Sequence, residues 1–177
     1  MTIAADYLET VLRELQRLKG LADRALERVG EEAFFREPGF EENSLAMLVK
    51  HMAGNMRSRW TDFLTSDGEK RDRERDTEFV IGEADTRASL MARWETEWQT
   101  LFDAIEPLTV AELSATVEIR GEPHTVVAAV QRQLTHYAYH VGQIVQLARH
   151  LADDWESLSI PRGASAAFNA RPDYLKP

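Results

Sequence analysis

Two histidines, His136 and His140, stand four residues apart inside a long stretch of helical pattern. Residues at i and i+4 of an α-helix lie one above the other on the same face, so the two imidazole rings can converge on one ion. Two nitrogen ligands make half of a tetrahedral site, or two of the three protein ligands in an open catalytic site. The spacing therefore predicts a divalent metal site that needs a further ligand from elsewhere in the chain.

His51 is the best candidate for that further ligand, because it lies in a second segment of helical pattern, residues 44–55. The chain has no cysteine, so a metal must be held by His, Asp, Glu or water. Three inward-facing histidines without a metal would leave several polar nitrogens to satisfy in one core, which is costly. We therefore predict that His51, His136 and His140 bind one divalent ion.

Three further polar residues lie on the same helical faces and are candidates for binding a substrate. Asn55 and Arg59 follow His51 by four and eight residues. They could point into a pocket and bind a substrate anion or orient a water, or they could be ordinary surface residues. Gln143 falls on the face of the paired histidines and is the third candidate.

The apolar pattern predicts the elements that must hold these residues. Apolar side chains recur at three- and four-residue steps in residues 3–29, 44–64, 85–105 and 125–151, with Asn43 or Ser44, Asp85 and Thr125 as helix caps. A mixed-charge run over residues 69–76 is interpreted as a solvated loop, and residues 116–125 as a short hairpin or extended crossing. Four long helices predict an all-α four-helix bundle, a fold that builds metal sites from facing helices.

The last segment, residues 155–177, has three prolines and no helical period, so we expect an irregular tail. Its large apolar side chains are Trp155, Leu158, Ile160, Phe168 and Tyr174. Leaving such side chains in water costs about 1.5 to 3 kcal/mol each, so the tail should pack on the bundle within a single domain, residues 1–177. Arg162, between a stiff proline and a flexible glycine, should lie nearest the metal and bind an anionic substrate. The alternative is that Arg162 pairs with a surface carboxylate.

Composition limits the partners of the protein. A formal net charge of −9 opposes binding to nucleic acid. No apolar run approaches the roughly 20 residues that span a bilayer, and we see no signal peptide, so we expect a cytoplasmic protein without a membrane partner. Four tryptophans on amphipathic helices suggest more apolar surface than one small bundle can cover. We therefore expect a homodimer through helix faces rich in Trp94, Trp98 or nearby apolar residues.

The two histidine-bearing segments, residues 44–55 and 136–144, resemble the signature segments of the DinB/YfiT-like superfamily, and residues 158–163 resemble the tail of one branch of it. This resemblance implies that the three histidines bind one divalent metal, commonly zinc or nickel. It also implies an up-down-down-up connection of the four helices and frequently a homodimer. Better-characterised relatives are transferases or isomerases that use a low-molecular-weight thiol such as bacillithiol or mycothiol.

The predicted function follows from an open metal site. Three protein ligands leave a position for water or substrate, where the ion lowers the pKa of a water or a thiol. No carboxylate stands at a general-base spacing near either histidine segment, which favours thiol transfer to a small-molecule substrate, although no catalytic residue can be named. The alternatives are a non-enzymatic metal-binding stress or regulatory protein, a metal-dependent hydrolase, and a metal-free helical interaction module.

Overall fold

The computed structural model describes residues 2–39 and 41–172, in which six α-helices surround a core beside one two-stranded sheet. The helices are α1 (Ile3–Glu27), α2 (Glu31–Phe35), α3 (Leu45–Trp60), α4 (Arg87–Ile105), α5 (Val126–Leu151) and α6 (Ser165–Ala170). The strands are β1 (Thr116–Ile119) and β2 (Glu122–Thr125), and single 3-10 turns occur at Arg75–Phe79 and Glu112–Ser114. The predicted, mostly helical fold with a short hairpin before the last long helix is confirmed.

The four long helices α1, α3, α4 and α5 pack around one apolar core. Helix α3 contacts α4 and α5, and α1 contacts α5 and α4, so each long helix has two long neighbours. The largest side chains in the core are Trp94, Trp98, Tyr137, Phe34, Leu15, Leu26, Leu45, Leu48, Met52, Met56, Leu101 and Ile144. None of the described helices combines the length and the apolar character that crossing a membrane requires.

A serine or threonine begins each long helix. The caps are Thr2, Ser44, Thr86 and Thr125, and each side chain accepts a hydrogen bond from a backbone N–H three residues ahead. The caps at Ser44 and Thr125 were predicted, whereas the predicted cap at Asp85 is wrong by one residue. Asp85 instead accepts hydrogen bonds from the backbone of Gly82 and from Lys50 Nζ, at 2.8 and 2.7 Å.

The tail differs in part from the expected irregular segment, because residues 165–170 form α6. Trp155 and Leu158 are partly buried against the core. The chain between them is tied to α1, since Arg28 Nη2 lies 3.1 Å from Glu156 Oε2. Tyr174, on which the expected packing also rested, lies outside the described residues.

The tryptophans expected at a dimer surface lie inside the core of the chain itself. Trp94 and Trp98 have no accessible surface, and Trp94 Nε1 donates a hydrogen bond to Asp23 Oδ1 at 2.9 Å. Side chains without accessible surface cannot contact a second protomer, so the predicted role of Trp94 and Trp98 in a dimer surface is wrong. The homodimer itself stays a prediction.

The mixed-charge run is not simply a solvated loop, because its end is folded against α3. Arg73 donates from Nε and Nη2 to the two carboxylate oxygens of Glu78, at 2.8 and 2.9 Å, and both side chains are only 5% exposed. The 3-10 turn Arg75–Phe79 contacts α3 directly. This charged segment therefore forms a wall of the molecule rather than a free loop.

The hairpin is joined to the loop after α3 by Asp67. Its carboxylate accepts hydrogen bonds from the backbone N–H groups of Glu69, Arg120 and Gly121, at 2.6, 2.8 and 2.7 Å. Arg120 and Gly121 form the two-residue turn between β1 and β2, with φ of 59° and 72°. The contact fixes the position of Arg120 relative to α3.

We predict that Asp67→Asn lowers the free energy of unfolding by about 1 kcal/mol at pH 7, because an amide oxygen accepts these hydrogen bonds more weakly than a carboxylate does. The Glu69 N–H, with those of Gly121 and Arg120, holds the pKa of Asp67 below its usual value. Their stabilisation is complete above the ordinary Asp pKa and is lost as the pH falls through the lowered folded value. Urea titrations should therefore show the difference from wild type shrinking below about pH 4. A difference that stays constant under stronger acid would contradict this prediction.

Candidate metal centre

The structure brings the three predicted histidines together. His51 lies on α3, and His136 and His140 lie on the facing surface of α5. One ring nitrogen of each lies within 4.8 Å of those of the other two. His51 and His140 are buried, with 4% and 8% of their surface exposed, and His136 is half-buried. The helical spacing thus identified both the pair on α5 and its partner on α3.

The two rings on α5 are in the neutral form that binds metal ions. Desolvation by burial, followed by the charges of neighbouring histidines, lowers the pKa of His136 to about 3 and that of His140 to about 4. Both imidazoles are therefore neutral at pH 7 and can offer a lone pair to a cation. Their Nε2 atoms are 3.0 Å apart, so the two rings direct these nitrogens toward one point.

Contacts outside the triad orient two of its rings. His51 Nδ1 donates a hydrogen bond to Glu78 Oε2 at 2.9 Å, and His140 Nδ1 donates to Gln143 Oε1 at 2.8 Å. Because an oxygen acceptor keeps the hydrogen on Nδ1, each Nε2 retains its lone pair for an ion. Proteins commonly orient metal-binding histidines by such contacts. Gln143, predicted to bind substrate, lines the cavity but also positions His140.

His136 is held less firmly than the other two rings. Its Nδ1 atom is buried and has no hydrogen-bond partner among the described residues. Within the described structure, the Nε2 contact with His140 is therefore its one hydrogen bond. Such an unsatisfied buried nitrogen is costly, and a cation bound at the triad would fix the orientation of the ring. Three nitrogen donors, of which His136 and His140 are neutral and His51 and His140 are oriented by neighbouring side chains, fit a divalent ion.

Glu78 belongs to a chain of buried charges that supports His51. Burial would raise the pKa of Glu78, but hydrogen bonds from His51 and Arg73 outweigh that effect and lower it. Glu78 is therefore an anion at neutral pH. Arg73 also lies 3.4 Å from Glu69, which in turn accepts a hydrogen bond from Arg59 at 2.9 Å. Each buried charge in this chain has a partner of opposite sign, as buried ions require.

The sequence analysis missed Glu78. It lies 27 residues after His51 in a segment without helical period, so its spacing carries no information. Sequence spacing therefore gave no sign of a carboxylate beside the triad, although Glu78 lies there. Both oxygens of Glu78 are already bound, to His51 and to Arg73, so this carboxylate orients a ligand and is not a free general base.

Gly54 is the sequence feature that could have indicated the close approach of Glu78 to α3. It lies three residues after His51 on the same face of α3, where glycine costs about 0.5 to 1 kcal/mol relative to alanine. A Cβ atom at this position would meet Glu78 Oε1 and lie 2.7 Å from Glu78 Cδ. Glycine inside a helix indicates close approach of another group, and here that group is Glu78.

Asn55 and Arg59 line the same cavity as the triad, but each has partners within the protein. Asn55 Oδ1 accepts a hydrogen bond from Tyr137 OH at 3.0 Å, and that hydroxyl accepts one from Trp60 Nε1 at 2.9 Å. Arg59 donates to the backbone carbonyl of Gly68 and to Glu69. Both residues therefore stabilise the wall of the site, whatever they bind in the cavity.

Arg162 is not brought to this cavity. It is exposed and lines a separate groove with Arg149 and Trp155. The physical reason is that the preceding chain follows α1, where Arg24 Nη2 donates to the carbonyl of Leu158 at 3.5 Å. The expected approach of Arg162 to the metal is therefore wrong.

The triad lies in the wall of an open cavity with a volume of about 430 Å³. Besides the histidines, the cavity is lined by Asn43, Asn55, Arg59, Arg73, Arg75, Phe79, Arg120, Arg132, Gln133, Tyr139 and Gln143. A cavity of this size holds a small organic molecule. The nitrogens of the triad can therefore be reached from solvent by such a molecule.

Comparison with known proteins supports the resemblance seen in the sequence. The model of a family described as "Protein of unknown function (DUF1572)" matches residues 2–164. The structure is similar to the crystal structure of a DinB-like protein, YjoA, from Bacillus subtilis, with 16% identity and a TM-score of 0.61 over 85% of this chain and 99% of that one. No curated protein matches the sequence. The DinB-like fold is confirmed.

We predict that Gly54→Ala displaces Glu78 from His51 and lowers the free energy of unfolding by about 1 to 3 kcal/mol, the usual cost of overpacking. Gly142→Ala on α5 is the matched control, because a Cβ atom there meets nothing within 4 Å. The control should gain about 0.5 to 1 kcal/mol from helix propensity. Urea unfolding gives the stabilities, and the NMR signal of the His51 Nδ1 proton reports the hydrogen bond. Retention of that signal in Gly54→Ala, with stability at the wild-type level, would contradict the prediction.

Proposed function

This chain belongs to the DUF1572 family, and from its DinB-like fold and its histidine triad we propose that it is a divalent-metal-dependent enzyme acting on a small molecule. The observation that carries the proposal is the convergence of three imidazoles from two helices on one point beside an open cavity. His51, His136 and His140 would hold the ion, most simply zinc or nickel, which both accept imidazole ligands.

The number of ligands favours a catalytic over a structural role. Among the described residues, no fourth His, Asp or Glu joins the group formed by the three histidines. Closed structural zinc sites have four protein ligands, whereas catalytic sites have three and leave a position for water or substrate. A bound ion would supply Lewis acidity there and lower the pKa of a water or thiol.

The residues around the triad would orient two of its rings, cover one of them and leave a path for a small molecule. Glu78 and Gln143 hold the Nδ1 protons of His51 and His140, so both rings keep one orientation during a reaction. Phe79 stacks on His51 with ring centroids 4.7 Å apart and covers that ring from solvent. The cavity admits a small molecule to the uncovered side of the triad.

The reaction we propose is transfer of a low-molecular-weight thiol to an electrophilic substrate. A thiol needs no general base once its pKa has been lowered, and the carboxylate nearest the triad, Glu78, is already bound to His51 and Arg73. A hydrolase would gain from a free base, which makes it the second choice. A metal-binding stress or regulatory protein without enzymatic activity is the alternative that the assays below test.

We also propose the up-down-down-up helix order and a homodimer, which the superfamily resemblance implies.

We predict that protein purified without a nickel column contains about one divalent ion per chain, measured by mass spectrometry of the metals. His140→Ala should contain none, because two imidazoles bind an ion far more weakly than three. His150→Ala, which removes an exposed histidine outside the triad, is the control and should keep the metal. Circular dichroism should show all three proteins folded, since the core is apolar. Metal retained in His140→Ala would refute the assignment of the ligands.

We predict that a chelator lowers the melting temperature without unfolding the protein at room temperature. Removal of the ion costs only the binding term, RT ln(1 + [L]/Kd), and the apolar core remains. Calorimetry of wild type and His140→Ala with and without chelator measures this, and the variant should not respond. Complete unfolding of the wild type would instead identify a structural metal.

We predict that zinc- or nickel-loaded protein accelerates loss of free thiol when bacillithiol or mycothiol is supplied with a panel of electrophiles. Metal-free protein and His140→Ala should be inactive, and His150→Ala active. If metal-loaded protein consumes no thiol from any mixture, the thiol transferase is refuted and the non-enzymatic alternative is favoured.

A further inference from the structure

The cavity beside the triad is strongly basic in a chain of net charge −9. Among the residues that the structure describes, five arginines line it and no Asp or Glu does. They are Arg59, Arg73, Arg75, Arg120 and Arg132. Because the protein as a whole is acidic, this concentration of one sign at one place requires a local explanation.

Three of the arginines are mostly balanced by two carboxylates, the partly buried Glu69 and the buried Glu78. Arg59, Arg73 and Arg120 all contact Glu69, at 2.9, 3.4 and 3.2 Å, and Arg73 also pairs with Glu78. Three guanidinium groups thus share two carboxylates, which leaves one positive charge in excess. Arg59 Nε is also buried without a hydrogen-bond partner among the described residues.

The other two arginines have no comparable partner in the described part of the chain. Arg75 lies 3.7 Å from Asp76, but both side chains are exposed, and such pairs contribute little in water. Arg132 Nη1 contacts His124 Nε2 at 3.4 Å, which is an imidazole and not a carboxylate. Two further charges at the cavity are therefore available to a ligand.

Arg75 is held in place next to the triad. Its guanidinium lies over the ring of Phe79, 5.1 Å from the centroid, and Phe79 in turn stacks on His51. A guanidinium stacked in this way keeps its edge N–H groups free for a planar or tetrahedral anion. The stack therefore fixes an anion-binding group about one ring away from a proposed metal ligand.

We infer that the substrate of this site carries an anionic oxygen group, a carboxylate or phosphate, bound by Arg75 and Arg132 while another atom of the same molecule faces the triad. This inference rests on the proposed function, because the triad supplies the second contact. It assigns to Arg75 and Arg132 the role that the sequence suggested for Arg59 and Arg162. Arginine forks suit both anions, since their N–H groups match pairs of oxygen atoms.

Two small thiols that differ in charge test the inference. Mercaptoacetate carries a carboxylate and 2-mercaptoethanol does not, yet both bind a metal through sulfur. Titration of cobalt-substituted protein, followed by the sulfur-to-cobalt charge-transfer absorption, gives a Kd for each. The variant is Arg75→Gln with Arg132→Gln. Its control is Arg36→Gln with Arg71→Gln, two exposed arginines outside the cavity whose loss changes the net charge equally.

The expected result is a preference for mercaptoacetate that is roughly tenfold smaller in the cavity variant than in wild type or control, with 2-mercaptoethanol binding unchanged. Differences in thiol acidity cancel, because the same two thiols are compared across proteins. Competition by inorganic phosphate or by acetate then distinguishes the two anions. An equal preference in all three proteins would overturn this inference and leave the proposed function standing, whereas failure of wild type to bind cobalt would refute the proposed function.

A second measurement needs neither metal nor thiol. In metal-free protein, the NMR signal of the Arg75 Nε–H should shift on titration with inorganic phosphate or acetate, and the shift should weaken in Arg132→Gln. No response to either anion would also overturn the inference.

Discussion

The hydrogen bond between His51 and Glu78 is the contact on which the candidate site depends. It joins α3 to the charged segment that follows, and the buried side chain in the 3-10 turn of that segment is the charged Glu78. Arg73 neutralises Glu78, Glu69 neutralises Arg73, and Phe79 and Arg75 follow in the same turn and stack beside His51. The histidine is therefore both a candidate ligand and the anchor of the wall around it.

The features that could be predicted from the sequence are those that follow from helical periodicity. The four long helices, the caps at Ser44 and Thr125 and the histidine triad follow from helical spacing, because side chains at i and i+4 share a face wherever the helix lies. The positions of Glu78 and Arg75 beside the triad could not be predicted from periodicity. Their 3-10 turn is held against α3 by the hydrogen bond between Glu78 and His51, which are distant in sequence. The prediction that Trp94 and Trp98 lie at a dimer surface is wrong because both are buried. The sequence pattern of an apolar stripe is the same whether the stripe faces the core of its own chain or a partner.

The electrostatics of the cavity follow from the division of charge along the chain. Three of the arginines that line the cavity pair with Glu69 or Glu78, and neither carboxylate is among the described residues that line it. Around the buried Arg59 and Arg73 the effective dielectric constant is lower than in water, so an unbalanced positive charge there acts more strongly than one at the surface. The charges of Arg59 and Arg73 help to lower the pKa of His136, and the charge of Arg75 helps to lower the pKa of His140.

The buried hydroxyl of Tyr137 has a consequence for the register of two helices. It lies between Trp60 and Asn55 of α3, and all three polar groups are removed from water. Sliding α3 along α5 by one turn, about 5.4 Å, would break both hydrogen bonds and leave unpaired polar groups inside the core, at a cost of several kcal/mol. Tyr137 thus fixes the register of α3 against α5, and with it the distance from His51 to the pair on α5, although it takes no part in holding an ion.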